Sequence, residues 1–200
     1  MPRSVKIYYG LSGTFKSTTI KQLFKPGDNI LWSGIKQWKQ WETGILGLKN
    51  SPSDLNFALL HLSRLKDNEY SIIKDSTTFH IERGVSDMVF YWLLSNPAES
   101  FETMLFNLVK EEIEVSKFVS GSNSEPKKIL LVQKDYDFIR DVVLSEKTRA
   151  ERFPGGVDDY LKAQDLYIDF TKKFNNIDEI IEITDARNYL ERLGIKYIAE

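Results

Sequence analysis

Apolar positions along the chain recur with two periods, and the change from one to the other outlines the elements. Val5 to Tyr9 is a short β-branched and aromatic run stopped by Gly10, which predicts a first strand. Ile20, Leu23 and Phe24 keep helical spacing over Lys16 to Phe24, and Lys25-Pro26-Gly27-Asp28 ends that helix. Ile30 to Trp32 predicts a brief second strand. Residues 33 to 50 hold no clean period: Gly34, Gly44 and Gly47 interrupt a helix, although Ile35, Trp38, Trp41 and Ile45 could line one face. Leu55, Leu59, Leu62 and Leu65 fall on one side of a helix for which Ser53 and Asp54 supply capping groups.

The second half continues the alternation. Thr77 to Ile81 predicts a third strand, followed by Glu82-Arg83-Gly84 at its carboxyl end. Ser86 to Leu94 and Phe101 to Phe118 predict helices, the latter with Leu105, Leu108 and Ile113 spaced for burial. SGSNSEPKK, residues 120 to 128, is the most loop-like stretch, and Ile129 to Gln133 predicts a fourth strand. Helical segments at roughly 137 to 147 and 157 to 174 are joined by TRAERFPGG. Glu179 to Thr184 predicts a fifth strand, and Asn188 to Leu193 sits in a closing helix. Strands alternating with helices argue for an α/β fold with a five-stranded parallel sheet and helices on both faces. Two hundred residues suit a single domain over 1–200, with room for a mobile lid.

Composition narrows the function classes. An apolar fraction of 42% beside 28% charged residues is that of an ordinary globular enzyme. Lys and Arg number 27 against 29 Asp and Glu, so the net charge of -2 does not favour a protein that grips nucleic acid over its whole surface. The absence of cysteine excludes disulfides, thiolate zinc sites and a Cys nucleophile. The opening MPRSVKIYYG lacks the apolar core of a signal peptide, and no stretch has the length of apolar residues needed to span a membrane. A cytoplasmic protein without membrane attachment is the expectation.

Residues 10 to 18 read GLSGTFKST, directly after the first strand and leading into the first helix. A Walker A phosphate loop needs Gly, four residues, then Gly-Lys-Ser/Thr in that setting. Its backbone amides wrap phosphates, the Lys bridges the terminal ones, and the hydroxyl binds magnesium; the helix N-terminus adds partial positive charge. Gly10, Gly13, Lys16 and Ser17 fall in register, with Leu11, Ser12, Thr14, Phe15 and Thr18 completing the loop. ATP and Mg2+ are therefore the expected cofactors, and the fold class becomes a three-layer P-loop NTPase fold. Phe15 stands where the pattern has Gly. If the backbone there is left-handed, the side chain costs about 1–2 kcal/mol, a strain that functional loops hold.

Three segments, in order, resemble the thymidylate kinase and deoxynucleoside kinase family. The first is the phosphate loop. The second is FHIERGVSD, residues 79 to 87, preceded by the helix-like FALLHLSRLKD. The third is RDVVLSEKTRAERFPGGVDDYLKAQDLYIDF, residues 140 to 170, which resembles an arginine-bearing lid followed by a helix that begins with a Tyr-Leu pair. The resemblance implies a P-loop kinase with a lid at about 145–157 and nucleotide at the carboxyl ends of the strands. In it Lys16 and Arg83 hold the transferring phosphate, and lid residues among Lys147, Arg149 and Arg152 close over it. Ser17 ligates magnesium, and Glu82 orients its waters or Arg83. Asp87 and the aromatics Trp32 and Trp38 are candidates for the acceptor pocket, and a homodimer is implied by the resemblance alone.

Deoxynucleoside kinases carry an acidic base after the second strand, where this chain has Leu31-Trp32-Ser33. Monophosphate kinases need none, because a phosphate oxygen attacks readily, so the balance tilts towards a phosphorylated acceptor. Gly84 stands where the family has Ser or Tyr, which leaves the acceptor contacts open. The reading is ATP- and magnesium-dependent phosphoryl transfer to a deoxynucleoside or its monophosphate, with a pyrimidine favoured. Two alternatives remain: a P-loop kinase acting on a hydroxyl of a modified nucleotide within DNA, and a nucleotide-binding module without turnover. His80 reads as a packed or hydrogen-bonded core residue rather than a catalyst.

Overall fold

The computed structural model describes residues 4–32, 62, 78–87, 89–90, 99–121 and 123–196. Five strands form one parallel sheet: β1 (Ser4–Tyr9), β2 (Asn29–Leu31), β3 (Thr78–Glu82), β4 (Lys127–Gln133) and β5 (Glu179–Ile183), in the order β2-β3-β1-β4-β5. This is the parallel α/β sheet that the strand and helix periods predict. The register pairs Ile30 with His80 on β2 and β3, and Leu131 with Ile181 on β4 and β5. Among the described helices are α1 (Lys16–Leu23), α2 (Glu99–Ser120), α3 (Tyr136–Phe138), α4 (Lys147–Arg152), α5 (Val157–Phe174) and α6 (Ala186–Arg192). No described helix is long and apolar enough to cross a membrane.

The chain divides into two compact units, residues 1–7 with 26–127 and residues 8–25 with 128–200. In the first, β2 and β3 pair, and buried Phe79 and Ile81 alternate with His80 and Glu82. All four side chains are buried, as expected of a strand covered on both faces. Asp28 receives the backbone N–H of Thr78 at 3.1 Å and faces the His80 ring at 3.3 Å. His80 is thus a hydrogen-bonded core residue. Burial pushes its ring below the ordinary imidazole range, outweighing the upward pull of Asp28.

The second unit is built on α5. Val157, Tyr160, Gln164, Tyr167, Thr171 and Phe174 are its buried residues, spaced alternately three and four apart along a single stripe. Asp158 and Asp159 in the first turn and Lys172 and Lys173 in the last complement the helix dipole. β4 is buried from Lys128 to Gln133, as a central parallel strand requires. Gln164 ties the two together: its Oε1 accepts from the Gln133 N–H at 2.8 Å, and its Nε2 donates to the Gln133 carbonyl at 2.7 Å.

Several boundaries differ from the sequence reading. The expected helix over 137 to 147 is one short turn capped by Asp135, then a π-helical turn at Ile139–Val143 closed by Leu144 N–H to the Ile139 carbonyl at 2.9 Å. No Gly or Pro marks that break. Val143 instead packs beneath Gly13, where an added Cβ would meet its Cγ2 at 2.6 Å. The joining stretch TRAERFPGG is itself partly helical, since α4 takes up Lys147–Arg152. The loop expected at 120 to 128 is shorter, because α2 runs to Ser120 and β4 starts at Lys127. Of the helix expected at 55 to 65 only Leu62 is described, helical and buried; residues 33 to 50 and 91 to 94 lie outside the described residues.

Candidate functional site

The candidate residues fall in two groups, one in each unit. In the second unit Gly10 leaves β1 at φ +146, and Gly13 follows at φ +91. A Cβ on Gly10 would strike the Thr14 hydroxyl and come within 2.6 Å of the Leu131 carbonyl oxygen. Both glycines are therefore demanded by the path of the loop. Phe15 occupies the left-handed region at φ +58, ψ +18, so the condition attached to this residue in the sequence is met. Lys16 begins α1 and is 5% exposed. Its ammonium donates to the carbonyls of Gly10 and Leu11 at 2.5 and 2.7 Å, and lies 3.4 Å from Thr14 Oγ1. The loop thus curls round the lysine it presents. Thr14 Oγ1 donates to the Leu11 carbonyl at 2.9 Å, which tightens the same turn. Ser17 is exposed on the first turn of α1, with Thr18 half-buried beside it.

Three side chains hold this loop, and of these the sequence patterns marked only Tyr160, as the tyrosine of the Tyr-Leu pair. Tyr167 Oη accepts the Gly10 N–H at 2.8 Å, Tyr160 Oη donates to the Ser12 carbonyl at 3.0 Å, and the Phe138 ring packs on Phe15 at 4.7 Å. Tyr189 adds a second ring at 5.9 Å from Phe15, and its hydroxyl meets Thr19 Oγ1 at 2.8 Å. Burial raises the Tyr189 phenol above its ordinary range, with the Thr19 bond pulling the other way. Beyond that pair, the signal available in sequence was the presence of polar Tyr160, Gln164 and Tyr167 on the buried stripe of α5.

The lid candidates lie on α4. Arg149 pairs with Glu146 at 2.9 Å and Lys147 with Glu151 at 3.9 Å, both within the segment, and Arg152 is exposed. Pairs that are exposed or, like that of Arg149, half-exposed contribute little to stability.

In the first unit Glu82 ends β3 as a buried carboxylate, and Arg83 follows at φ +71. Among the described residues Phe15 and Arg83 are the two non-glycine positions with positive φ. Both were marked by their motifs before any backbone was known, and strain of this sort gathers at functional sites. Arg83 Nη1 donates to Asp87 Oδ1 at 2.9 Å, and the Val85 N–H donates to Glu112 Oε1 at 3.0 Å. Glu112, fully buried on α2, was not singled out from sequence. Asp87 Oδ2 is buried and lacks a hydrogen-bond partner among the described residues. Trp32 is half-buried after β2, and Trp38 lies outside the described residues.

The donor set fits a magnesium nucleotide: a glycine loop around a buried lysine, with an exposed serine hydroxyl next in sequence. Among the described residues no cluster of three or more acidic or His side chains is gathered for a metal. Magnesium bound with phosphates takes only one or two protein groups, so a single hydroxyl such as that of Ser17 would suffice.

No protein-family model matches the chain, and no curated protein matches it. Among solved structures it is similar to thymidylate kinase from Candida albicans, at 13% identity and a TM-score of 0.49, over 96% of this chain and 93% of that one. It is similar to the same degree, 13% and 0.49, to a protein of Chloroflexus aurantiacus provisionally described as a kinase, over 97% of this chain and 98% of that one.

Proposed function

We propose that the protein is an ATP- and magnesium-dependent P-loop kinase acting on a deoxynucleoside or deoxynucleoside monophosphate, with a pyrimidine base favoured. The observation that carries this reading is the loop at 10–18, in which Gly10 and Gly13 open the backbone round the Lys16 ammonium at the start of α1. Phosphoryl transfer breaks the bond between the terminal phosphorus and its bridging oxygen and forms one to the acceptor oxygen, with ADP leaving. Catalysis of that step is largely positioning and neutralisation of charge.

In this reading Lys16 exchanges its carbonyl partners for terminal phosphate oxygens, and the loop amides take the remainder. Bound magnesium would supply a positive charge between the phosphates, with Ser17 as its ligand and Glu82 orienting its waters. Arg83 brings a further cation, and Arg149 and Arg152 are assigned to the lid. Asp87 Oδ2, buried without a partner, favours a contact with an acceptor donor group, since an unsatisfied buried carboxylate oxygen is costly. The chain as a whole is taken as one kinase domain.

The test is transfer of labelled phosphate from ATP, with magnesium, to nucleosides, monophosphates and short DNA, beside a Lys16→Ala control. Transfer to a free nucleoside or monophosphate that disappears in the control is the expected result. Transfer to DNA alone would replace the acceptor. No transfer to any of them would leave a nucleotide-binding module.

A further inference from the structure

We infer that Tyr160 is a positioning residue that ties the arginine-bearing segment 147–156 to the phosphate loop. The inference rests on the kinase reading only in taking MgATP as the loop's ligand. All of the residues concerned lie in the second unit.

The connection begins at Phe153, which caps α4. Its N–H donates to the carbonyls of Arg149 and Ala150 at 3.1 and 3.3 Å, so the residue continues the frame that carries Arg149 and Arg152. The Phe153 side chain is buried, and its ring meets that of Tyr160 edge-on, with centroids 5.3 Å apart and planes at 72°. Edge-to-face pairs of this geometry hold a relative orientation as well as a distance.

The chain between the two rings is a tight turn. The Gly156 N–H donates to the Phe153 carbonyl at 2.9 Å, and the Gly155 N–H donates to Asp159 Oδ2 at 2.6 Å. Gly156 takes φ +70, and the Tyr160 N–H then closes on the Gly156 carbonyl at 3.1 Å to start α5. Phe153 is thus delivered onto the first turn of the helix that follows it.

Tyr160 passes the contact on. Its side chain is fully buried, and its hydroxyl donates to the Ser12 carbonyl at 3.0 Å, in the middle of the loop. A buried hydroxyl costs free energy unless bonded, and a phenylalanine would fill the same space. The phenol is explained by its bond to Ser12. Tyr167, about 10 Å further along the helix, holds the loop by accepting the Gly10 N–H, and Tyr160 joins its own bond to the loop with the ring contact to the segment. A ligand that shifts the Ser12 carbonyl alters the bond to Tyr160, the seat of Phe153, and with it the bearing of Arg149 and Arg152.

The experiment is limited trypsin digestion of the full chain with and without MgATP, reading cleavage after Arg149 and Arg152 by mass spectrometry, beside equilibrium binding of MgATP. In the parent protein MgATP slows both cuts several-fold. In Tyr160→Phe, MgATP still binds with affinity weakened by less than about tenfold, as for loss of one neutral hydrogen bond, while the protection is lost. Phe153→Leu loses protection in the same way and carries the test should Tyr160→Phe not fold. Full protection in either variant with MgATP bound overturns the inference, as does MgATP binding to the parent that leaves both cuts unslowed. A parent that does not bind MgATP at all overturns the kinase reading, and the inference falls with it.

Discussion

The ring of Phe15 lies 4.7 Å from that of Phe138, while the Phe15 backbone sits at φ +58 in the region that favours glycine. The side chain is what lets an L residue stand at this point of the loop. Contact with Phe138, and with Tyr189 at 5.9 Å, offsets a left-handed strain of about 1 kcal/mol. Phe15→Ala keeps the strain and loses both rings, whereas Phe15→Gly loses the rings and relieves the strain. The glycine variant should therefore be the more stable of the two by about 1 kcal/mol, contrary to the usual preference for Ala near a helix. Urea unfolding of both variants decides it, and equal stabilities would contradict the left-handed assignment.

Glu112 holds the turn that carries Arg83. Its Oε1 accepts the Val85 N–H two residues after the left-handed position. Glu112→Ala strips a buried N–H of its acceptor and should cost about 1–3 kcal/mol. Glu112→Gln keeps a carbonyl in place and should cost less. Thermal unfolding of the pair checks this, and equal losses would mean that the hydrogen bond is not what the carboxylate supplies.

Asp87 is engaged on one side only, through Oδ1 to Arg83. On the kinase reading Asp87→Asn raises the acceptor KM by about tenfold or more, the worth of a charged hydrogen bond, and leaves MgATP affinity unchanged. Initial rates with acceptor and ATP varied separately test it. A rise confined to the ATP term would move Asp87 out of the acceptor pocket.

His80 makes stability depend on acid. Burial lowers its folded-state pKa, so below the ordinary imidazole value of 6.5 the unfolded chain takes up the proton more readily. Stability is therefore undiminished above that pH, and it falls as pH drops through it until the folded His80 itself titrates. Asp28, in contact with the ring, supports the cation, and the charge of Lys6 opposes it. His80→Gln should flatten the unfolding temperature between pH 7 and pH 5, within the range that imidazole governs. An unchanged slope would assign the dependence to other groups.

Much of the frame was legible in the sequence because it follows from period and punctuation. The runs at 5–9, 129–133 and 179–184 became β1, β4 and β5 to within two residues. β1 and β4 read as near-continuous apolar runs because they are buried parallel strands, and the edge strand β5 read from its isoleucines between charged residues. The helix at 157–174 carried both its stripe and its charged ends. The end of the helix after β4 was not legible, because no Gly or Pro marks it; there the chain makes a π-helical turn that brings Val143 against Gly13.

For the candidate site the division is similar. The left-handed backbone of Arg83 came to light only in the structure, whereas the sequence alone determined the glycine-rich loop at 10–18, the lysine at its end, and Phe15 as a place where a side chain stands against its backbone. Those are matters of residue type at fixed spacing, and the glycine requirement is a local steric rule. Only the tertiary structure decided what holds them there: Phe138 and Tyr189 for Phe15, Tyr160 and Tyr167 for the loop, and Glu112 and Asp87 for the Arg83 turn. The loop's two tyrosines are about 150 residues distant in the chain. Spacing shows that such tyrosines sit on a buried stripe but not which group they bond, because a buried hydroxyl finds its acceptor through packing.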